Sequence, residues 1–335
     1  MAIDIFSITP HEVSRDLRGY TMLFYGQPKT GKTTIASKFE KNLLLAFETG
    51  YLAIPGIMAQ PINSWSEFKQ VLRQLKDDRA REQFLNITLD TVDIAYDLCE
   101  KYICSQNGVS KINEIPYGQG WAMASKEFDE AIRSIPQMGY GLIMISHAQD
   151  KTFTDENGKE YDQIVPTLAN RPRNIVDRAA DIIGYAHPFL NEETGEVQTI
   201  LYLRGTPRFV AGSRFKYTPD SIPFNYQSLV DAIGDAIDKQ AQETNGQFIT
   251  DAPATARQPE PELNFDDLMN QFNTLVSKLQ EATGSTFGTN WAPRIVEITD
   301  KYLGKGKKVS EMTRDQVEQL VLIVDELTEA VGNGI

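Results

Sequence analysis

Eight consecutive residues, Gly26-Gln27-Pro28-Lys29-Thr30-Gly31-Lys32-Thr33, fit G-x-x-x-x-G-K-[ST] in full. The two glycines let successive backbone N–H groups turn inward and cradle phosphate oxygens, and a helix starting at Lys32 adds the partial positive charge of its N-terminus. In such a loop Lys32 reaches the β- and γ-phosphates of ATP, and the Thr33 hydroxyl takes a ligand position on Mg2+. The expected nucleotide-binding residues are Gly26, Gln27, Pro28, Lys29, Thr30, Gly31, Lys32, Thr33 and Thr34. Lys29 either adds charge near the phosphates or is a solvated loop residue. At average residue usage a chance match somewhere in the chain has a probability of about 1 in 100, so an ordinary glycine turn is the poorer reading.

A phosphate loop needs an acidic partner for the metal at the end of a buried strand. Asn86-Ile87-Thr88-Leu89-Asp90-Thr91 supplies Asp90, leaving the sheet at the edge where ligands bind; capping the following helix is a second role open to it. Glu48 ends another apolar run, Leu45-Ala46-Phe47-Glu48-Thr49-Gly50. A carboxylate there orients or deprotonates the attacking water, although an acid ahead of Thr-Gly also serves turns. Leu142-Ile143-Met144-Ile145-Ser146-His147 ends in polar residues at the same edge, so His147 or Ser146 can hydrogen-bond the γ-phosphate and report its loss. His11 and His187 have no comparable context and read as structural.

These side chains need a sheet to hold them. β-rich runs at 20–25, 43–47, 87–90, 140–146, 181–186 and 199–204 alternate with helical patterns at about 32–40, 65–76, 92–105, 120–135, 172–180 and 226–240. Near-continuous apolar strands separated by helices predict an α/β fold, a mainly parallel sheet flanked by helices on both faces. The last 70 or so residues read differently. Asn264 caps a helix with apolar positions Phe265, Leu268, Met269, Phe272, Leu275, Val276 and Leu279, and a shorter helix spans about 292–302. Thr313 and Gln316 then make a capping-box pattern ahead of an apolar stripe from Val317 to Val331. Between core and helices lies a stretch rich in Ala, Gln, Thr, Pro and Glu, with too few large apolar groups to offset its ordering entropy. The expected organisation is a core domain over 1–240, a flexible linker over 241–263 and a small helical C-terminal domain over 264–335.

The chain of 335 residues is 41% apolar and 24% charged, which excludes a wholly disordered or collagen-like protein. No apolar run approaches the ~18 residues of a membrane span, and Met1-Ala2-Ile3-Asp4 lacks the basic and apolar regions of a secretion signal. Cys99 and Cys104 suit core positions in a reduced compartment, so the cytoplasm is the expected location and no membrane the expected surroundings. A net charge of −13 at face value argues against nucleic acid as a partner. Its spread changes that inference. Residues 1–240 carry 25 basic and 31 acidic side chains (−6), whereas 241–335 carry 8 and 15 (−7). Residues 197–219 hold Arg204, Arg208, Arg214 and Lys216 and no acid at all.

The order of these features resembles a RecA-type ATPase core: P-loop Gly26–Thr33, a strand ending in the catalytic Glu48, one ending in the magnesium ligand Asp90, and one ending in the polar sensor Ser146-His147. More closely, the chain is similar to the phage-encoded RecA-like ATPases of single-strand annealing and recombination. That likeness rests on Leu89-Asp90-Thr91-Val92-Asp93, Ile145-Ser146-His147 and Ala211-Gly212-Ser213-Arg214, and covers about residues 18–238. RecA proper usually carries Asn-Gln where this chain has Ser146-His147. The resemblance implies a RecA-like P-loop NTPase core and Mg2+-dependent ATP hydrolysis on single-stranded DNA. It also implies a homo-oligomer, ring or filament, with ATP sites at subunit interfaces. There a basic residue of the neighbour's late strands neutralises charge developing on the γ-phosphate. Arg214 is the first choice for that role, ahead of Arg204 and Arg208.

Two connections leave the catalytic edge. Residues 105–120 include Lys111 and Tyr117; residues 148–172 include Lys151, Phe153, Lys159, Tyr161 and Arg171, with Arg173 just beyond. Long connections in a compact domain are usually functional, and cations interleaved with rings suit single-stranded DNA. The second connection also carries Asp150, Asp155, Glu156, Glu160 and Asp162, and 154–159 alone reads as a hairpin turn, so a plain β-hairpin lid is the alternative to DNA contact. Other functions share such a core: a helicase-like motor or its loader, a P-loop kinase with an arginine-rich lid, or a nucleotide-gated interaction module with negligible turnover. The C-terminal unit is open to a partner such as a single-strand-binding protein, to regulating access to DNA, or to being a plain helical appendage.

Overall fold

The computed structural model describes residue 6 and residues 8–192, 195–252 and 263–332. Residues 10–252 fall in one compact unit and residues 263–332 in another. In chain order the strands of the larger unit are β1 (Val13–Ser14), β2 (Thr21–Gly26), β3 (Asn42–Ala46), β4 (Met58–Pro61), β5 (Asn86–Asp90), β6 (Gly141–Thr154), β7 (Glu160–Pro166), β8 (Ile182–Leu190), β9 (Val197–Tyr202), β10 (Gly212–Ser213), β11 (Ser221–Pro223) and β12 (Ile249–Thr250). Its helices are α1 (Lys32–Ala36), α2 (Trp65–Gln74), α3 (Asp78–Gln83), α4 (Val92–Gln106), α5 (Gln119–Gln137), α6 (Asn170–Ala179) and α7 (Tyr226–Ala241).

The main sheet runs β11-β9-β8-β2-β6-β5-β3-β4. From β8 to β4 the strands are parallel, and β9 and β11 are added antiparallel at one edge. Each central strand is buried on both faces because its side chains alternate between two cores. On β2, Leu23 joins Trp65, Phe68, Phe128 and Ile132 beneath α2 and α5. Met22 and Phe24 point the other way, to Ile35, Leu229 and Ile233 of α1 and α7. One strand, β6, is interposed between the P-loop strand β2 and the Asp90 strand β5. Its register sets Gly26 beside His147, and Ile145 beside Asp90. This is the RecA-like P-loop core that the resemblance implies, and it brings the ends of β2, β3, β5 and β6 to one edge.

Two expectations change. The 148–172 connection is a β-hairpin, as the turn signal at 154–159 allowed, rather than a structureless loop: β6 runs on past the sheet to Thr154 and pairs antiparallel with β7. Their turn is closed by Asp155 N–H to the Lys159 carbonyl at 2.9 Å, with Gly158 at a φ of 81°. The 105–120 connection is likewise folded, in short helical turns that bury Ile112 and Ile115. The linker is also shorter than expected from 241. β12 pairs with β1 in parallel, Val13 beside Ile249, and Arg15 clamps Asp238 and Asp251 at 2.6 and 2.9 Å. Residues 241–252 therefore fold onto the core; 253–262 lie outside the described residues.

The second unit contains α8 (Phe265–Thr283), α9 (Phe287–Asn290), α10 (Ala292–Leu303) and α11 (Val317–Gly332). Asn264 Oδ1 accepts from the N–H groups of Asp266 and Asp267, and Thr313 with Gln316 forms the capping box. Leu279, Trp291, Ile298, Leu320, Ile323 and Leu327 make its core. Among the described residues no helix is long and apolar enough to cross a membrane.

Candidate active site

The shape of the phosphate loop requires its glycines. A Cβ on Gly26 would lie 2.3 Å from the Ala186 carbonyl oxygen of the neighbouring β8, and Gly31 has a φ of 93°. Lys29 and Thr34 stand exposed. Lys32 instead folds back beneath the loop and is only 5% exposed. Its ammonium donates to the carbonyls of Gly26 at 2.9 Å and Gln27 at 2.7 Å, and lies 3.5 Å from Thr30 Oγ1. Burial lowers its pKa to about 8, against the opposing pull of Asp90, Glu48 and Asp93.

Thr33 Oγ1 donates to Asp90 Oδ2 at 2.7 Å. Burial raises the pKa of Asp90, and the Thr33 hydrogen bond opposes that shift. Thr91, not Asp90, occupies the cap position of α4, so the carboxylate is turned to the loop. A hydroxyl and a carboxylate are the hard oxygens that Mg2+ takes from a protein beside phosphate and water. Among the described residues no group of three or more His, Cys, Asp or Glu could hold a metal. The donor set thus fits an ion shared with phosphate rather than one caged by protein.

Glu48 follows β3, and its backbone N–H and that of Phe47 both donate to the Asp90 carbonyl, at 3.1 and 2.7 Å. Its Oε1 accepts from Thr91 Oγ1 at 3.3 Å and lies 3.2 Å from His147 Nε2. An ionised carboxylate has no proton to give, so Nε2 is the donor. Both side chains keep about a third of their surface exposed, 32% and 31%, which leaves room for water. Ser146 is buried and its hydroxyl donates to Asp93 Oδ1 at 2.9 Å. Of the two sensor candidates, His147 alone faces Glu48.

Asp93 is a site residue that sequence reasoning missed. The same oxygen that accepts from Ser146 accepts from Thr167 Oγ1 at 2.6 Å, and Thr167 N–H donates to the His147 carbonyl at 2.9 Å. One half-buried carboxylate thereby ties both roots of the β6–β7 hairpin beside the Glu48–His147 pair. Its Oδ2 is buried without a partner. Burial raises its pKa, and the two hydroxyl bonds oppose that. The available signal was an acid three residues after Asp90, on the first turn of α4.

The three arginines differ sharply. The Arg204 guanidinium donates to the carbonyls of Ser213, Phe215, Lys216 and Thr218, a structural role. Arg214 is ion-paired with Asp181 at 3.1 Å and donates to the Arg178 carbonyl at 2.7 Å. It lies beside the start of β8, at the opposite end of the sheet from the P-loop. Arg208 sits exposed on a turn, and its guanidinium has no hydrogen bond or ion pair among the described residues.

The hairpin separates its charges by strand alternation. Phe153 and Tyr161 stack at 5.9 Å, with the Lys151 ammonium 5.4 Å from the Phe153 ring. The alternate residues, Asp150, Glu160 and Asp162, fall on the other face. Lys151 also donates to Asn170 Oδ1 at 2.7 Å, Lys159 lies at the turn, and Arg171 is over the Trp121 ring at 5.9 Å. Lys111 is exposed on the other connection. Arg173 is drawn inward to Asp177 at 3.4 Å, its side chain 15% exposed, which removes it from the DNA-facing role expected of it.

A protein family described as AAA domain matches residues 18–215. The SPbeta prophage-derived uncharacterized protein YorG of Bacillus subtilis (strain 168) is 32% identical over 337 residues, spanning 99% of this chain and 100% of that protein. Among solved structures, the KaiC-like protein PH0186 of Pyrococcus horikoshii OT3 is 14% identical, with a TM-score of 0.32, over 56% of this chain and 80% of that one.

Proposed function

This chain belongs to the AAA domain family, and from that membership we propose that it is a Mg2+-dependent ATPase acting on single-stranded DNA in phage recombination, annealing or replication. The observation that carries the hydrolytic reading is the Glu48–His147 pair, set at the same sheet edge as Lys32, Thr33 and Asp90. Bound MgATP supplies an electrophilic γ-phosphorus. The chain's own groups do the rest. The Lys32 ammonium exchanges the Gly26 and Gln27 carbonyls for phosphate oxygens, and Thr33 with Asp90 holds the ion. Glu48 orients a water and takes its proton, while His147 Nε2 and Thr91 Oγ1 fix the carboxylate's position.

Of these three arginines, Arg208 has its guanidinium unpaired among the described residues, and in a homo-oligomer that supports it over Arg214 and Arg204 as the residue given to a neighbour's ATP. The Arg208 turn is docked on the hairpin: Ile164 N–H donates to the Arg208 carbonyl at 2.7 Å, and Tyr25 Oη donates to the Val210 carbonyl, with the Ile164 carbonyl 3.2 Å away. The hairpin face of Lys151, Phe153 and Tyr161 supports single-stranded DNA, with the cation following phosphate and the rings stacking on bases. The prophage origin in the relative's name and an expected cytoplasmic location agree with this setting. Replacing Phe153 and Tyr161 together by Ala should weaken binding of a fluorescent oligo-dT about tenfold or more by anisotropy. Unchanged affinity would remove the hairpin from the DNA site.

A further inference from the structure

The C-terminal unit has an open groove of about 540 Å³ between α8, α10 and the chain that follows α10. Its floor is apolar, formed chiefly by Phe265, Met269 and Phe272 of α8 and Val296 of α10. The first three are only half-buried, and Val296 is 56% exposed, although both helices also contribute to a closed core. Apolar side chains left uncovered in this way mark a surface where something else docks. The charges at the rim say what kind of partner. Among the described residues only two charged ones line the groove, Lys307 and Lys308, and no acid does. Neither lysine has an ion pair or side-chain hydrogen bond among the described residues. Two other cations of the unit are paired, Lys301 with Glu326 and Arg314 with Asp266, at 2.7 and 2.8 Å. Residues 263–332 carry 11 acids against 7 basic residues, so two unpaired lysines side by side at one apolar groove run against the unit's general charge.

We propose that this groove docks an acidic segment of a partner protein, whose apolar side chains fill the floor while its carboxylates pair with Lys307 and Lys308. Nucleic acid would use the lysines and leave the apolar floor exposed, whereas a purely apolar helix would leave the lysines unpaired; an acidic, apolar peptide satisfies both. The chemistry matches neither the phosphate loop nor the hairpin, and it stands whether or not the chain hydrolyses ATP.

The test uses the full chain and a short fluorescein-labelled peptide in which Asp alternates with Ile and Phe, read by anisotropy. A second peptide has Ser in place of Ile and Phe, and oligo-dT serves as a competitor. Saturable binding is expected, weakened by salt, and reduced about tenfold by Lys307→Glu with Lys308→Glu and about fivefold by Val296→Asp. Val296 is exposed, and a thermal melt confirms that each variant is folded. No saturable binding, equal binding of the Ser peptide, displacement by oligo-dT as effective as by unlabelled peptide, or wild-type affinity in both variants would each overturn the proposal.

Discussion

At the nucleotide edge the charged groups are held by defined partners before any substrate arrives. Lys32 is held by two carbonyls, Asp90 by Thr33, Glu48 by His147 and Thr91, and Asp93 by Ser146 and Thr167. The C-terminal groove is built the other way, with free lysines over half-buried apolar side chains. Buried charges are costly to desolvate, and their arrangement is preorganised for a single ligand chemistry. Open apolar surface tolerates variation, because its contacts contribute in small increments. One region should therefore fail abruptly on a single change and the other gradually.

The largest contrast lies in two glycines. Gly26→Ala pushes a Cβ to 2.3 Å from a backbone oxygen, whereas a Cβ on Gly288 in α9 meets nothing within 4 Å. Thermal unfolding should show Gly26→Ala destabilised by about 2–3 kcal/mol, and Gly288→Ala changed by no more than about 1 kcal/mol in either direction. Similar losses in both would break the contrast. A smaller effect is expected at Asp93. Asp93→Ala leaves the buried Ser146 hydroxyl and the half-buried Thr167 hydroxyl without their acceptor, a cost of about 1–3 kcal/mol, whereas Asp93→Asn keeps an oxygen at Oδ1. ATP turnover should fall about tenfold in the Ala variant and recover largely in the Asn variant, with ATP affinity little changed in both. Loss of ATP affinity in step with turnover would make Asp93 part of the nucleotide pocket instead.

Proton linkage gives the most graded signal. Lys32 in the free protein titrates at about 8, below its ordinary value, and phosphate favours the charged ammonium, so nucleotide raises that pKa. Below pH 8 the lysine is already charged and binding moves few protons. Above pH 8 binding must take one up, and affinity should decline by up to about tenfold per pH unit until the bound-state pKa is reached. Calorimetry in buffers of different ionisation enthalpy measures the uptake; none above pH 8 would mean that Lys32 is not the group that meets phosphate.

Much of this edge was legible because its signals are local. A glycine loop between an apolar strand and a helix, and acids at the ends of apolar runs, place Lys32, Thr33, Glu48, Asp90 and His147 without any knowledge of pairing. What was missed depends on distant backbone. The β6–β7 hairpin continues a core strand beyond the sheet, and its alternating Asp150, Lys151, Thr152 and Phe153 read as mixed charge until the register separates them. Arg204 is spent on backbone carbonyls, which leave no trace in residue types, and Arg214 meets Asp181 from 33 residues away in the chain. The end of the core was hidden likewise, since β12 is two residues paired to β1 across the whole unit.

The central claim is that Glu48 activates the water that cleaves ATP. It is tested most directly by measuring MgATP hydrolysis and fluorescent-ATP binding on wild type and Glu48→Gln, with and without oligo-dT. The account predicts wild-type turnover that rises with oligo-dT, and a Gln variant that binds ATP normally but hydrolyses it at least about 100-fold more slowly. A Gln variant as active as wild type, or a wild type that binds ATP without turnover, would contradict it.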